Sequence, residues 1–203
     1  MQKHTFPLQD FFLHIDLFPL EILGENLFPW HILHALTSYM DRLPLGKIEI
    51  DLHPSVYVEK KEKISIAKGA SIEPGSFIKG PCIIGPHAQV RSGSYIRPYT
   101  IIGAECLVGH GSEIKHSILL KGAKAAHFNY VGDSIIGENA NLGAGVKLAN
   151  VRLDGKEIRV EWKKNHYETG LKKMGAIEGN ISDFNIMDLN LLKEIAEEKS
   201  YDS

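Results

Sequence analysis

Three observations predict that this 203-residue chain folds as a solenoid of short stacked β-strands. An aliphatic side chain recurs at every sixth position, in Ile66, Ile72, Ile78, Ile84, Val90, Ile96, Ile102, Val108, Ile114 and Leu120. A small side chain follows most of them four residues later, in Ala70, Ser76, Cys82, Ala88, Ser94, Thr100, Cys106 and Ser112. Glycine often comes directly after the aliphatic, as in Ile84-Gly85, Ile102-Gly103 and Val108-Gly109. A period of six matches neither an amphipathic helix nor a hairpin alternation. It matches a coil of strands and corners in which each turn buries its aliphatic on the turn below. The register slips near residue 126 and resumes at Ile136-Gly137, Leu142-Gly143 and Leu148.

The flanks read differently. Leu8, Phe11, Phe12 and Ile15 follow helical spacing after Pro7, and a second helix is expected from Pro29 to Leu43. Asp51 to Lys61 forms a lead-in, a hairpin is expected across Val151–Trp162, and Asp188 to Glu198 reads as a helix with Asp188 at its N-cap. The division is therefore 1–60 for N-terminal helices and lead-in, 61–153 for the solenoid, and 154–203 for an irregular segment and C-terminal helix. Each open end of such a solenoid is a sheet edge, and the terminal segments are expected to cover those edges.

Composition narrows the function. A net charge of −2 argues against a nucleic-acid backbone binder. No apolar run is long enough to span a membrane, and the oily start is interrupted by Gln9, Asp10, His14 and Asp16, unlike a signal peptide. A soluble cytoplasmic protein is expected. Cys82 and Cys106 fall in the small-residue slot and read as packing residues. No metal site is expected, because His110 and His116 lack a third histidine at a stacked position.

Charge at the coil period is more pointed. Lys61, Lys79, Arg97 and Lys115 are spaced by 18, one full turn, so they stack as a ladder of like charge. Neighbouring cations one strand apart, ~4.8 Å, repel by roughly 1 kcal/mol even in bulk water. For Arg97 and Lys115 a bound anion relieves that repulsion. Just beyond them the register break covers Lys121 to Asp133, and a break in a strict repeat marks a loop with a task.

The residues there carry a resemblance. Glu113-Ile114-Lys115, Lys124-Ala125-Ala126-His127-Phe128-Asn129-Tyr130-Val131-Gly132-Asp133, Ile136-Gly137-Glu138-Asn139-Ala140-Asn141-Leu142-Gly143-Ala144-Gly145 and Asn150 resemble the acetyltransferase half of the bifunctional N-acetylglucosamine-1-phosphate uridyltransferases. Related sugar-1-phosphate nucleotidyltransferases carry the same half. Phe28-Pro29-Trp30-His31 and Thr169 to Gly175 are also similar to parts of that group. The resemblance implies a single-stranded left-handed parallel β-helix of hexapeptide repeats, assembled as a homotrimer, that uses acetyl-CoA on an amino-sugar 1-phosphate. It implies catalytic roles for His127 as general base, the Ala144 backbone N–H as oxyanion donor, and Asn150. It implies substrate binding by Arg97, Lys115 and Tyr130 at the sugar phosphate, Asn141 with Asn150 at the sugar ring, and Lys156.

Two departures stand beside it. The family's Asn-Tyr-Asp-Gly is replaced by Asn150-Val151-Arg152-Leu153-Asp154-Gly155, and the family's further coils for coenzyme A give way to Glu178-Gly179-Asn180-Ile181-Ser182-Asp183. Nothing near the N-terminus resembles a nucleotide-binding loop. Two functions follow: an acetyltransferase in UDP-N-acetylglucosamine synthesis, or a non-catalytic oligomerisation or regulatory subunit of a separate nucleotidyltransferase chain.

Overall fold

The computed structural model describes residues 28–162 and 165–179. Its strands stack in parallel as a β-helix with three faces. The first face holds β1 (Tyr57–Glu59), β4 (Phe77–Lys79), β7 (Tyr95–Ile96), β10 (Glu113–Lys115), β13 (Tyr130–Gly132) and β16 (Lys147–Leu148). The second holds β2 (Ile64–Ile66), β5 (Cys82–Ile84), β8 (Thr100–Ile102), β11 (Ile118–Leu119), β14 (Ile135–Ile136) and β19 (Ile177–Glu178). The third holds β3 (Ser71–Ile72), β6 (Gln89–Val90), β9 (Leu107–His110), β12 (Lys124–His127) and β15 (Asn141–Leu142).

The repeat explains the interior. Ile66, Ile78, Ile84, Val90, Ile96, Ile102, Val108 and Ile114 line the core, each at 1% exposure or less. The small residues occupy the corners: Ser76 donates to Glu73 O, Ser94 to Gly109 O and Cys106 to Leu120 O. Buried hydroxyls paired in this way avoid a desolvation penalty of roughly 1–3 kcal/mol each. Burial pushes both cysteine thiols up to about 12, so thiolate chemistry is closed to them.

A second core lies outside the solenoid. Helix α1 (Pro29–Arg42) opens on a proline suited to the first turn and lays Ile32, Leu33, Leu36, Tyr39 and Met40 against the second face. That face turns Ile83, Ile101, Ile118, Ile135 and Ile177 outward to meet it. Full burial of Leu36 and Met40 is worth roughly 2 kcal/mol each. The helix therefore covers a flank, which corrects the expectation that it covers an end: the second face is apolar on both sides and needs a lid. The segment around Ile48 bridges to Ile66 and takes the first strand edge instead.

The turns are not uniform, and three expectations change. Twenty residues separate Tyr57 from its partner Phe77, so Glu59 stands opposite Lys79. Lys61 leaves the ladder and enters a short 3-10 turn, Lys61–Lys63. The repeat then slips earlier than residue 126. The corner after β10 is one residue short, which pairs Ile118 with Ile101 and puts Leu119, not Leu120, inside. The corner after β13 is shortened in the same way, pairing Ile135 with Ile118. Lys121 to Asp133 consequently holds two regular strands and no inserted loop.

An excursion from 149 to 176 separates β16 from β19. Its hairpin joins β17 (Arg159–Trp162) to β18 (Asn165–Glu168), later in the chain than Val151–Trp162 suggested. The helices expected near Leu8 to Ile15 and across Asp188 to Glu198 lie outside the described residues.

Candidate functional site

The first face carries two outward columns, because residues on either side of each buried aliphatic point away from the core. One column reads Tyr57, Phe77, Tyr95, Glu113, Tyr130 and Lys147. The other reads Glu59, Lys79, Arg97, Lys115 and Gly132. The cations are not left to repel one another. Lys79 Nζ lies 3.1 Å from Glu59, Arg97 Nη1 2.7 Å from Glu113, and Lys115 Nζ 3.0 Å from Asp133. Each rung has its own carboxylate, so a bound anion is not needed to relieve the ladder.

Asp133 is the hub of the best-built cluster. Its Oδ2 accepts from Lys115 Nζ and from Asn150 Nδ2 at 2.5 Å, while His116 Nδ1 stands 3.0 Å from Oδ1. That last approach lies outside linear hydrogen-bond geometry. Burial pushes the Asp133 carboxyl up, but contacts from His116, Lys115 and Asn150 outweigh it and hold the group at about 2. Asn150 Nδ2 also lies 3.3 Å from Tyr130 Oη. Gly132, opposite Lys115, makes room for both: a Cβ there would fall 2.6 Å from Tyr130 Oη and 2.8 Å from Asn150 Nδ2. The structure thus brings Lys115, Tyr130 and Asn150 together and adds Asp133 and His116, neither of which was among the expected site residues.

His127 stands apart, exposed at the end of β12. It stands in register with His110 on the turn below, an exposed pair that a constant turn of 18 conceals because the shortened corner changes the offset to 17. Its backbone is tightly held. Asn129 Oδ1 accepts from the His127 N–H at 3.0 Å, and the buried Asn129 amide donates to Gly143 O at 2.8 Å. Gly109 lets Ala126 close in from the turn below, since a Cβ there would meet Ala126 O at 1.5 Å. From the turn above, Gly145 N–H donates to His127 O at 2.9 Å, which seats the exposed Ala144 beside the histidine. The Ala144 N–H donates to no acceptor among the described residues.

The remaining expected residues do not join either group. Asn141 is exposed on β15, opposite Lys124. Lys156 lines a separate cleft of about 390 Å³ with Arg152, Arg159, Glu168 and Lys172. Among the described residues no group of three or more His, Cys, Asp or Glu side chains is placed to hold a metal. No described helix is long and apolar enough to cross a membrane.

Fold and repeat together define a hexapeptide-repeat β-helix protein. Residues 78–165 match the GMPPB C-terminal domain. The chain is 37% identical over 155 residues to a bifunctional sugar-1-phosphate nucleotidylyltransferase/acetyltransferase of Sulfurisphaera tokodaii, covering 74% of this chain and 37% of that protein. It is 36% identical over 152 residues to the bifunctional protein GlmU of Methanococcus maripaludis, covering 75% of this chain and 36% of that one. It therefore spans little more than a third of the length of these relatives. Among solved structures, PerB from Caulobacter crescentus, in complex with CoA and GDP-perosamine, overlaps 47% of this chain and 49% of that one at 20% identity, TM-score 0.39. The resemblance read from the motifs holds: this chain is a homologue of the bifunctional sugar-1-phosphate nucleotidylyltransferase/acetyltransferases.

Proposed function

We propose that the protein N-acetylates an amino-sugar 1-phosphate, glucosamine-1-phosphate in UDP-N-acetylglucosamine synthesis, with acetyl-CoA as donor. The observation that carries this reading is the juxtaposition of exposed His127 with the unused Ala144 N–H on the next turn. The sugar amine attacks the thioester carbonyl while His127 takes the proton, and the C–N bond forms. The oxyanion is stabilised by the Ala144 N–H, then collapse breaks the C–S bond and the leaving thiolate of coenzyme A takes the proton back from His127. Arg97, Lys115 and Tyr130 hold the phosphate, Asn141 and Asn150 the sugar ring, and Lys156 a further substrate group. His127 and Asn141 are open to the outside of a single chain, which fits a homotrimer in which a second copy closes the site.

Thiol release from acetyl-CoA in the presence of glucosamine-1-phosphate tests this directly. Release is expected from the purified protein and is expected to fall at least about 100-fold in His127→Ala, the usual range for a general base. No release above background ends the acetyltransferase reading.

The pairing of Arg97 with Glu113 and Lys115 with Asp133 favours a second reading. Cations already neutralised suit a non-catalytic oligomerisation or regulatory subunit that works with a separate sugar-1-phosphate nucleotidyltransferase. Calorimetric binding of glucosamine-1-phosphate without any thiol release is the outcome that selects it.

A further inference from the structure

Below the sugar-phosphate cluster the same face carries a groove that the acetyl-transfer reading does not use. Tyr57, Phe77, Lys79, Gly93 and Tyr95 line about 470 Å³. Tyr57 and Phe77 are 49% and 48% exposed, their rings 5.8 Å apart, and Tyr95 follows at 6.3 Å from Phe77. Rings on three successive turns form an aromatic platform facing out. Such exposure is costly unless something covers it.

Charge says what kind of ligand fits. Lys79 Nζ lies 5.6 Å and the Arg97 guanidinium carbon 5.8 Å from the Tyr95 ring centre, so both cations edge the platform. Glu113 ends the aromatic column and is held by Arg97. A phosphate that reaches Arg97 displaces this carboxylate, as one that reaches Lys79 displaces Glu59. Lys79 is held by Glu59 in a solvent-screened pair and lies against Tyr95, so a phosphate can take the place of the carboxylate. From Phe77 to Tyr130 is three strand steps, about 14 Å, with Lys79, Arg97 and Lys115 alongside.

We propose that this groove binds the nucleoside diphosphate of a nucleotide-activated sugar. The base stacks on Tyr57, Phe77 and Tyr95, the phosphate next to the nucleoside follows Lys79, the phosphate borne by the sugar reaches Arg97, Lys115 and Tyr130, and the sugar ring lies at Asn150. The inference deepens the sugar-phosphate reading of those last residues and rests on it. A planar base with adjacent phosphates satisfies both columns at once; an uncharged sugar or a bare phosphate satisfies only one.

The experiment is calorimetric titration of the full chain with UDP, GDP, uridine, inorganic pyrophosphate and glucosamine-1-phosphate. UDP or GDP is expected to bind more tightly than uridine or pyrophosphate. Phe77→Ala should weaken that binding roughly 5- to 150-fold, the range for loss of one stacked base, and leave glucosamine-1-phosphate affinity unchanged. Lys79→Gln should weaken the diphosphates and leave uridine unchanged. Binding of glucosamine-1-phosphate but of neither diphosphate overturns the inference alone; binding of none of these ligands overturns the sugar-phosphate reading with it. Diphosphate affinity unaltered by Phe77→Ala also overturns the inference. So does sedimentation showing that Phe77→Ala splits an oligomer into monomers, which makes the groove an interface between copies.

Discussion

Lys115 and Asp133 meet across neighbouring turns at 3.0 Å, and the same carboxylate oxygen accepts the Asn150 amide. Asp133 is 5% exposed, so its charge depends on these partners. Asp133→Asn leaves Lys115 facing a neutral group in a partly buried place. The expected cost is about 2 kcal/mol, below the full penalty for a buried pair because Lys115 keeps some water. Urea unfolding measures it.

The pH dependence carries the same signature. The Asp133 carboxyl sits at about 2 in the fold and near 4 in the unfolded chain. A depressed folded pKa contributes stability that is complete above about pH 4 and is lost as pH falls toward about 2. In Asp133→Asn the stability curve should flatten across that window, as read by thermal melts from pH 6 downward.

Glu178 should behave in the opposite sense. It pairs with Ile136, whose side chain lies in the solenoid core, so the carboxyl points inward on the last described strand. Among the described residues neither oxygen has a hydrogen-bond partner, and burial pushes the group up to about 7. The native state then binds a proton that the unfolded chain releases near 4, so stability falls as pH rises from about 4 to about 7. Glu178→Leu is expected to gain about 2 kcal/mol at pH 8, after discounting for its partial exposure, and to remove the slope. Chemical denaturation at pH 5 and pH 8 checks both.

Two glycines separate folding from binding. Gly109→Ala forces a Cβ into the Ala126 carbonyl, and backbone cannot yield as a side chain does. A loss of about 3 kcal/mol or more is expected, seen as a lowered denaturation midpoint. Gly143→Ala, whose Cβ would meet only Val146 at 3.9 Å, is the control and should change little.

Gly132→Ala touches side-chain ends instead, Tyr130 Oη and Asn150 Nδ2. Both can swing away, at a cost of roughly 1–2 kcal/mol because Asn150 then gives up its bond to Asp133. The stability loss should therefore stay below that of Gly109→Ala while glucosamine-1-phosphate binding falls, with the thermal midpoint and calorimetric affinity measured on the same sample.

In the fold the motif residues Lys115, Tyr130 and Asn150 converge, and the Ala144 N–H stands on the turn next to His127. Arg97, assigned to the same phosphate, also holds Glu113. Asp133 was hidden because an acid's partners depend on which turn lies below it. The His110–His127 pair was hidden because one deleted corner residue, between Lys115 and Ile118, shifts everything after it.

A spacing of six settles the solenoid before any coordinate is seen, since every turn must hide an aliphatic and only stacking hides it. Corner lengths, by contrast, set which residues stand above one another, and no local propensity announces a corner one residue short. Folding therefore decided that Lys61 leaves the ladder and that each remaining cation meets a carboxylate. It also set three aromatic rings side by side on one face. Those are relations between turns, and they come into being only when the turns are stacked.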